Sequence, residues 1–159
     1  MLFLVFMLGP DRYALDARCV VEVLPLLNVK LLPQAQPAIA GICNYRGVAV
    51  PVIDLNQLMS NRPAAQRFST RIVIVEYRDT EHQNPDQAPM LLGLIAEQVK
   101  ETVRREASEF VASGVSASDA RYLGPLASDA SGLLQWIHVD KLLPPEIRAL
   151  LQAPQELPA

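Results

Sequence analysis

A thiol-dependent hydrolytic pair could draw on four side chains in this sequence, Cys19 or Cys43 as nucleophile and His82 or His138 as base. A nucleophile needs a base within hydrogen-bond reach and a third group to orient that base. The pattern does not assemble such a set. Cys43 stands between Ile42 and Asn44 in an apolar run, His82 falls in a polar loop, and His138 alternates with Trp136 as strand residues do. The two histidines lie far apart with no spaced carboxylates to complete a metal shell. The glycines are scattered, not grouped before a helix as a phosphate cradle requires. With no Cys-x-x-Cys pair, the cysteines read as buried thiols in a reducing compartment. A thiol-dependent hydrolase is the competing enzyme reading, and no cofactor or metal site is expected.

Binding chemistry is better represented. From Gly41 to Leu55 the chain reads as two apolar strands folded over a tight polar turn, with Asn44, Arg46 and Gly47 at its tip. Nothing in a core requires those side chains, so the tip reads as a recognition edge.

The elements that position this tip follow from composition and periodicity. The chain has 159 residues, 50% apolar and 19% charged, with a net charge of −3. That suits one compact folded domain over 1–159. With a pI near 5.4 and no basic cluster, neither nucleic acid nor an anionic membrane surface is an expected partner. Met1–Leu8 is too short to span a bilayer and lacks the basic flank of a signal peptide, so it reads as a buried first strand. Gly9-Pro10-Asp11 turns it into a second strand, Tyr13–Ala17.

A short helical turn is expected between Leu15 and Val23, then an irregular proline-punctuated run with a brief edge strand at Leu26–Leu32. Asp54 is placed to cap a one-turn helix at Leu55–Met59. Strands are expected at Arg71–Tyr77, Met90–Ala96, Val99–Val103, Tyr122–Leu126 and Leu133–His138, with loops at 78–89 and 106–120. Pro144-Pro145 opens a C-terminal helix over about 145–152. So many short strands with brief helices predict β-barrel-like modules.

With these elements in place, Val20-Val21-Glu22-Val23, Gly41-Ile42-Cys43-Asn44-Tyr45-Arg46-Gly47 and Val50-Pro51-Val52-Ile53-Asp54-Leu55 together resemble the CheW-like family of chemotaxis coupling proteins. The likeness extends through Thr70–Glu76 and Leu92-Gly93-Leu94-Ile95 to Val139–Leu143. The resemblance implies two intertwined SH3-like, five-stranded β-barrel subdomains with short helices and no enzymatic activity. We place the second barrel at roughly 54–138. It also implies a cytoplasmic adaptor, recruited to membrane receptor arrays, that bridges chemoreceptor cytoplasmic domains and the regulatory domain of a CheA-type histidine kinase.

The receptor groove of the family maps here to Val20, Glu22, Gly41, Asn44, Arg46 and Gly47, with Val48 adding apolar area. Arg46 offers a planar fork of donors to a carboxylate or backbone carbonyls. Gly41 and Gly47 are expected to let a receptor helix approach the backbone. Kinase contact in the family involves apolar residues at a barrel end, which the sequence does not single out. Tyr45, Ala96-Glu97 and the long 78–89 loop depart from the usual pattern, which suits an alternative chemosensory pathway. A stand-alone partner-binding module of the same fold, a competitor or localisation protein, is the second reading.

Overall fold

The computed structural model describes residues 1–26, 29–33, 35–78, 89–115, 120–151 and 156–158. Nine strands follow in chain order: β1 (Leu2–Leu8), β2 (Asp11–Asp16), β3 (Val20–Pro25), β4 (Ile39–Tyr45), β5 (Val48–Asp54), β6 (Arg71–Tyr77), β7 (Met90–Arg104), β8 (Leu123–Asp129) and β9 (Gly132–Ile137). Two helices, α1 (Leu55–Ser60) and α2 (Pro145–Arg148), and three single 3-10 turns are the other elements among the described residues.

The pairings sort the strands into two five-stranded groups that share β7. One group runs β3-β6-β7-β5-β4, the other β7-β1-β2-β9-β8. Each reads antiparallel, antiparallel, parallel, antiparallel, with β5 parallel to β7 in the first and β2 parallel to β9 in the second. Each also closes on itself in the same manner. In the first, Lys30 and Ile42 exchange backbone hydrogen bonds of 2.8 and 2.9 Å; in the second, Val111 and Leu126 exchange two of 2.8 Å. Closure removes most of the unpaired edge that an open sheet would expose.

This division corrects the one expected from the sequence. A second barrel at roughly 54–138 is not what the pairings make, because β6 and the first half of β7 belong with β3–β5. The other barrel takes β1 and β2 from the start of the chain and the second half of β7, β8 and β9 from further on. Chain order cannot show this, since strand partnership is decided by which edges meet in space.

Three apolar clusters explain why the strand sequences are nearly continuous apolar runs. Phe3, Val5, Ala14 and Leu134 fill one cluster; Cys43, Val50, Val52, Ile72, Ile74 and Ile95 fill another. The alternate residues of the same strands, Leu4 and Phe6, Val73 and Val75, Leu92 and Leu94, meet in a third and larger cluster drawn from both barrels. Successive side chains point to opposite faces of a strand. A strand with a barrel interior on one face and the seam between barrels on the other is therefore buried on both, and β1, β6 and β7 have sequences to match.

The expected strands at Met90–Ala96 and Val99–Val103 are one strand, β7, bent between them. Between Val5–Met7 of β1 lie the partners Glu101 and Glu97, so β7 spends two extra residues there, and Gln98 takes φ 50°. The bulge bends β7 where it leaves one barrel and enters the other. Val99, within the bulged stretch, is buried in the seam, and its N–H donates to the Ser69 carbonyl at 2.9 Å.

At the far end of the second barrel Asp129 receives both arms of Arg12, at 2.9 and 3.2 Å, and Arg105 at 2.6 Å, tying β2, β8 and the exit of β7 together. Arg12, above all, holds the Asp129 carboxyl down at about 2.

The helical turn expected between Leu15 and Val23 is a 3-10 turn at Ala17–Cys19, and Val20 onward is strand. In place of an edge strand at 26–32, the described residues there make one bridge, at Lys30. Asp54 caps α1 as anticipated: Oδ1 accepts from Gln57 N at 3.2 Å and Oδ2 from Ala64 N at 3.0 Å. Of the C-terminal helix expected over 145–152, a single turn forms, Pro145–Arg148. Leu142, Leu143 and Ile147 are buried in the seam while Leu150 stays 55% exposed. Its job is to cover the seam, which one turn accomplishes. Most of the 78–89 loop, His82 included, lies outside the described residues.

Candidate docking edge

The hairpin between β4 and β5 turns in two residues, since Tyr45 still pairs with Val48. Both turn residues have positive φ, Arg46 at 50° and Gly47 at 84°. That is the pattern of a type I′ turn, whose twist matches the flanking strands. Gly47 takes this conformation without strain, whereas an L-residue such as Arg46 does so at a cost of about 1–2 kcal/mol. Asn44 braces the turn, its side-chain oxygen accepting from Gly47 N at 2.9 Å. That oxygen is therefore engaged within the turn, and Asn44 offers a partner its amide N–H groups.

Barrel closure brings this tip to β3. Arg46 meets Glu22 at 3.4 Å, with 76% and 35% of the two side chains exposed. Glu22 lies on the half-buried face of β3 with Val20, while Val21 and Val23 look outward. The guanidinium carbon of Arg46 also sits 5.5 Å from the Tyr45 ring centroid. A hydrogen-bonding contact between the Tyr45 hydroxyl and Glu22 raises the phenol pKa, with partial burial adding to it and Arg46 opposing. One tyrosine thus touches both charged residues of the edge.

Of the seven residues assigned from sequence, Glu22, Asn44, Arg46, Gly47 and Val48 lie at or against this tip with some surface open; Val20, two residues before Glu22 on β3, packs on the seam, and Gly41 is buried. Gly41 is buried at φ 155°, and a Cβ there would run into the Lys30 carbonyl, with the Val29 side chain at 2.9 Å. The close approach that needs a glycine is made by the chain's own backbone at Lys30, whose bridge to Ile42 closes the barrel. The expectation that Gly41 admits an outside helix is corrected on this ground: its absent side chain builds the seam on which Arg46 and Glu22 meet.

Tyr45, singled out in the sequence only as a departure from the family pattern, joins this edge through the tertiary structure: Glu22 is 24 positions from Arg46 and reaches the tip through barrel closure. At one end of the same barrel, apolar side chains stand out of the surface: Phe68 is 99% exposed and Leu31 75%. Leu26 and Gln66 line two adjoining hollows there, the larger about 780 Å³ and walled by Leu31, Leu32, Pro37 and Ile39.

The thiols are poorly placed for catalysis. Cys19 Sγ donates to the Asp16 carbonyl at 3.0 Å, and burial pushes its pKa up to about 11. Burial likewise raises Cys43, which is 5% exposed inside its barrel. His138 is held against Trp136 with ring centroids 5.6 Å apart, and burial lowers its pKa. A thiol must ionise to attack, and these surroundings favour the neutral form. Among the described residues no helix is long and apolar enough to cross a membrane.

Two barrels of equivalent pairing order around a common apolar seam, with a charged hairpin edge on one of them, define a paired SH3-like β-barrel module. The chain belongs to the CheW-like family, whose domain model matches residues 2–146. It is 28% identical over 150 residues to the chemotaxis protein CheW of Klebsiella aerogenes, covering 94% of this chain and 85% of that one. With the chemotaxis protein CheW of Bacillus subtilis it shares 35% identity over 78 residues, 49% of this chain and about half the length of that relative. The crystal structure of the scaffolding protein TtCheW from Thermoanaerobacter tengcongensis has the same fold. The TM-score is 0.74 at 24% identity, over 90% of this chain and 87% of that one.

Proposed function

We propose that this protein is a non-enzymatic adaptor that couples the cytoplasmic tips of chemoreceptors to a CheA-type histidine kinase, working in the cytoplasm at membrane receptor arrays. The observation that carries the reading is Arg46 at φ 50°. Glycine or asparagine would make this turn at lower cost, yet the chain keeps an arginine there, 76% exposed, with Glu22 and Tyr45 around it. Gln98 and Asn61 also take positive φ, at a bulge and at a helix end, and Arg46 differs from them in standing exposed at a hairpin tip beside Glu22. Receptor docking is assigned to Val20, Glu22, Tyr45, Arg46, Gly47 and Val48, with Asn44 holding the turn. Kinase contact is assigned to the apolar barrel end at Leu26, Leu31, Leu32 and Phe68, following the family's use of such an end. Family membership and the high thiol pKa of Cys19 support the non-enzymatic reading over the hydrolase.

A three-component assay tests this reading. Receptor cytoplasmic fragment, kinase and this protein together should raise kinase autophosphorylation above any pair of them. Binding to one partner without that rise would favour the stand-alone module and overturn the coupling role.

A further inference from the structure

The edge of β5 next to the turn is not left bare. β5 pairs with β7 at Val52, Ile53 and Asp54, which leaves its Val48 end without a strand on that side. Residues from the far end of the described chain occupy it. Glu156 bridges Val48 in antiparallel fashion, and the Leu157 N–H donates to the Gly47 carbonyl at 2.7 Å. Leu157 keeps 38% of its surface exposed, so the segment lies on the outside of the hairpin and is held through its main chain. The segment thus lies on two of the residues assigned above to receptor docking.

We propose that residues 156–158 form an intramolecular strap on the β4–β5 hairpin, which a docking receptor must displace. The inference rests on the receptor-docking reading of this edge. An extended segment adding to a free strand edge gains affinity from main-chain hydrogen bonds, and here the addition is short by construction. β5 begins at Val48, directly after the two-residue turn, so the ladder has no strand to continue along beyond Gly47. Pro154 stands on the other side of the pairing residues. A strap held by this single bridge, of which the Leu157 N–H to Gly47 carbonyl bond is a part, is closed for most of the time but opens readily. It lowers receptor affinity by the factor that the closed population sets, about 2- to 10-fold for a contact of this size.

Two variants test this. Leu157→Pro removes the donating N–H at unchanged length, and a chain stopped at Leu151 removes the strap while keeping the residues that pack on the seam. Each is titrated with a receptor cytoplasmic fragment, beside Arg46→Glu as the control for the docking site itself. Both strap variants should bind 2- to 10-fold tighter than the parent. Unchanged or weaker binding in both, with Arg46→Glu still weakening it, overturns the strap and leaves the docking site standing. No effect of Arg46→Glu overturns the docking reading instead. The strap contact is then read without receptor, from backbone amide NMR shifts of Gly47 and Val48, which Leu157→Pro should move and which refute the contact if they stay fixed.

Discussion

Reversing the charge at the hairpin tip separates docking from stability. Arg46 and Glu22 stand 3.4 Å apart but are 76% and 35% exposed, so their attraction contributes about 0.2–1 kcal/mol to folding. Arg46→Glu loses that and adds a like-charge contact of similar size. The backbone at φ 50° is as unfavourable for glutamate as for arginine, so the turn conformation contributes no difference. The domain should remain folded, with its melting temperature within a few degrees of the parent. Binding is another matter. A receptor acceptor that meets the Arg46 fork loses charge-assisted hydrogen bonds and faces a negative charge, which costs about 1.5–3 kcal/mol, or roughly 10- to 150-fold in Kd. Isothermal titration of a receptor cytoplasmic fragment measures this directly. Arg46→Lys, which keeps the charge but not the fork, should fall between the two. A Kd for Arg46→Glu within twofold of the parent, from a protein that melts normally, would refute the assignment.

Tyr45→Phe removes the hydroxyl beside Glu22 while keeping the ring beneath Arg46. It should weaken receptor binding about 2- to 5-fold and leave the melting temperature in place, whereas Tyr45→Leu should weaken it further. Gly41→Ala puts a Cβ against the Lys30 carbonyl at a φ that L-residues avoid. It should destabilise the domain by about 2–4 kcal/mol in urea unfolding, and a change under 0.5 kcal/mol would show that the closure gives way freely. Asp129, held at about 2 by Arg12, the Ser131 N–H and Arg105, binds its proton more weakly folded than unfolded. Its stabilisation is complete above the ordinary carboxylate value near 4 and is lost as pH falls toward 2. Asp129→Asn should flatten the urea midpoint against pH over that window; an unchanged slope counts against the clasp. With Cys19 near 11 and Cys43 enclosed, thiol reagents at pH 8 should react at least about 100-fold slower with the native protein than in denaturant. Thiol-sensitive ester turnover would instead revive the hydrolase.

How much of this was legible in the sequence differs from element to element. Arg71–Tyr77 reads as a strand residue for residue, because a β-branched apolar run bounded by polar residues has few other uses. The hairpin at Asn44–Gly47 was equally plain, since polar residues and a glycine between two apolar runs have one economical geometry. The α2 helix was overestimated because propensity and proline position set where a helix starts, while its length depends on how much seam there is to cover.

The chain by itself determined the strands, the turn, the cap at Asp54 and the side chains offered at the tip, for these depend on residues within a few positions of one another. Tertiary structure alone decided which strands share a barrel and that Gly41 makes room for Lys30. It also decided that Glu22 and Tyr45 meet around Arg46 and that Leu157 returns to the carbonyl of Gly47. Each of those contacts joins residues from separate stretches of chain. The force that brings them together is burial of both faces of β1, β6 and β7, which acts on area and not on sequence neighbours.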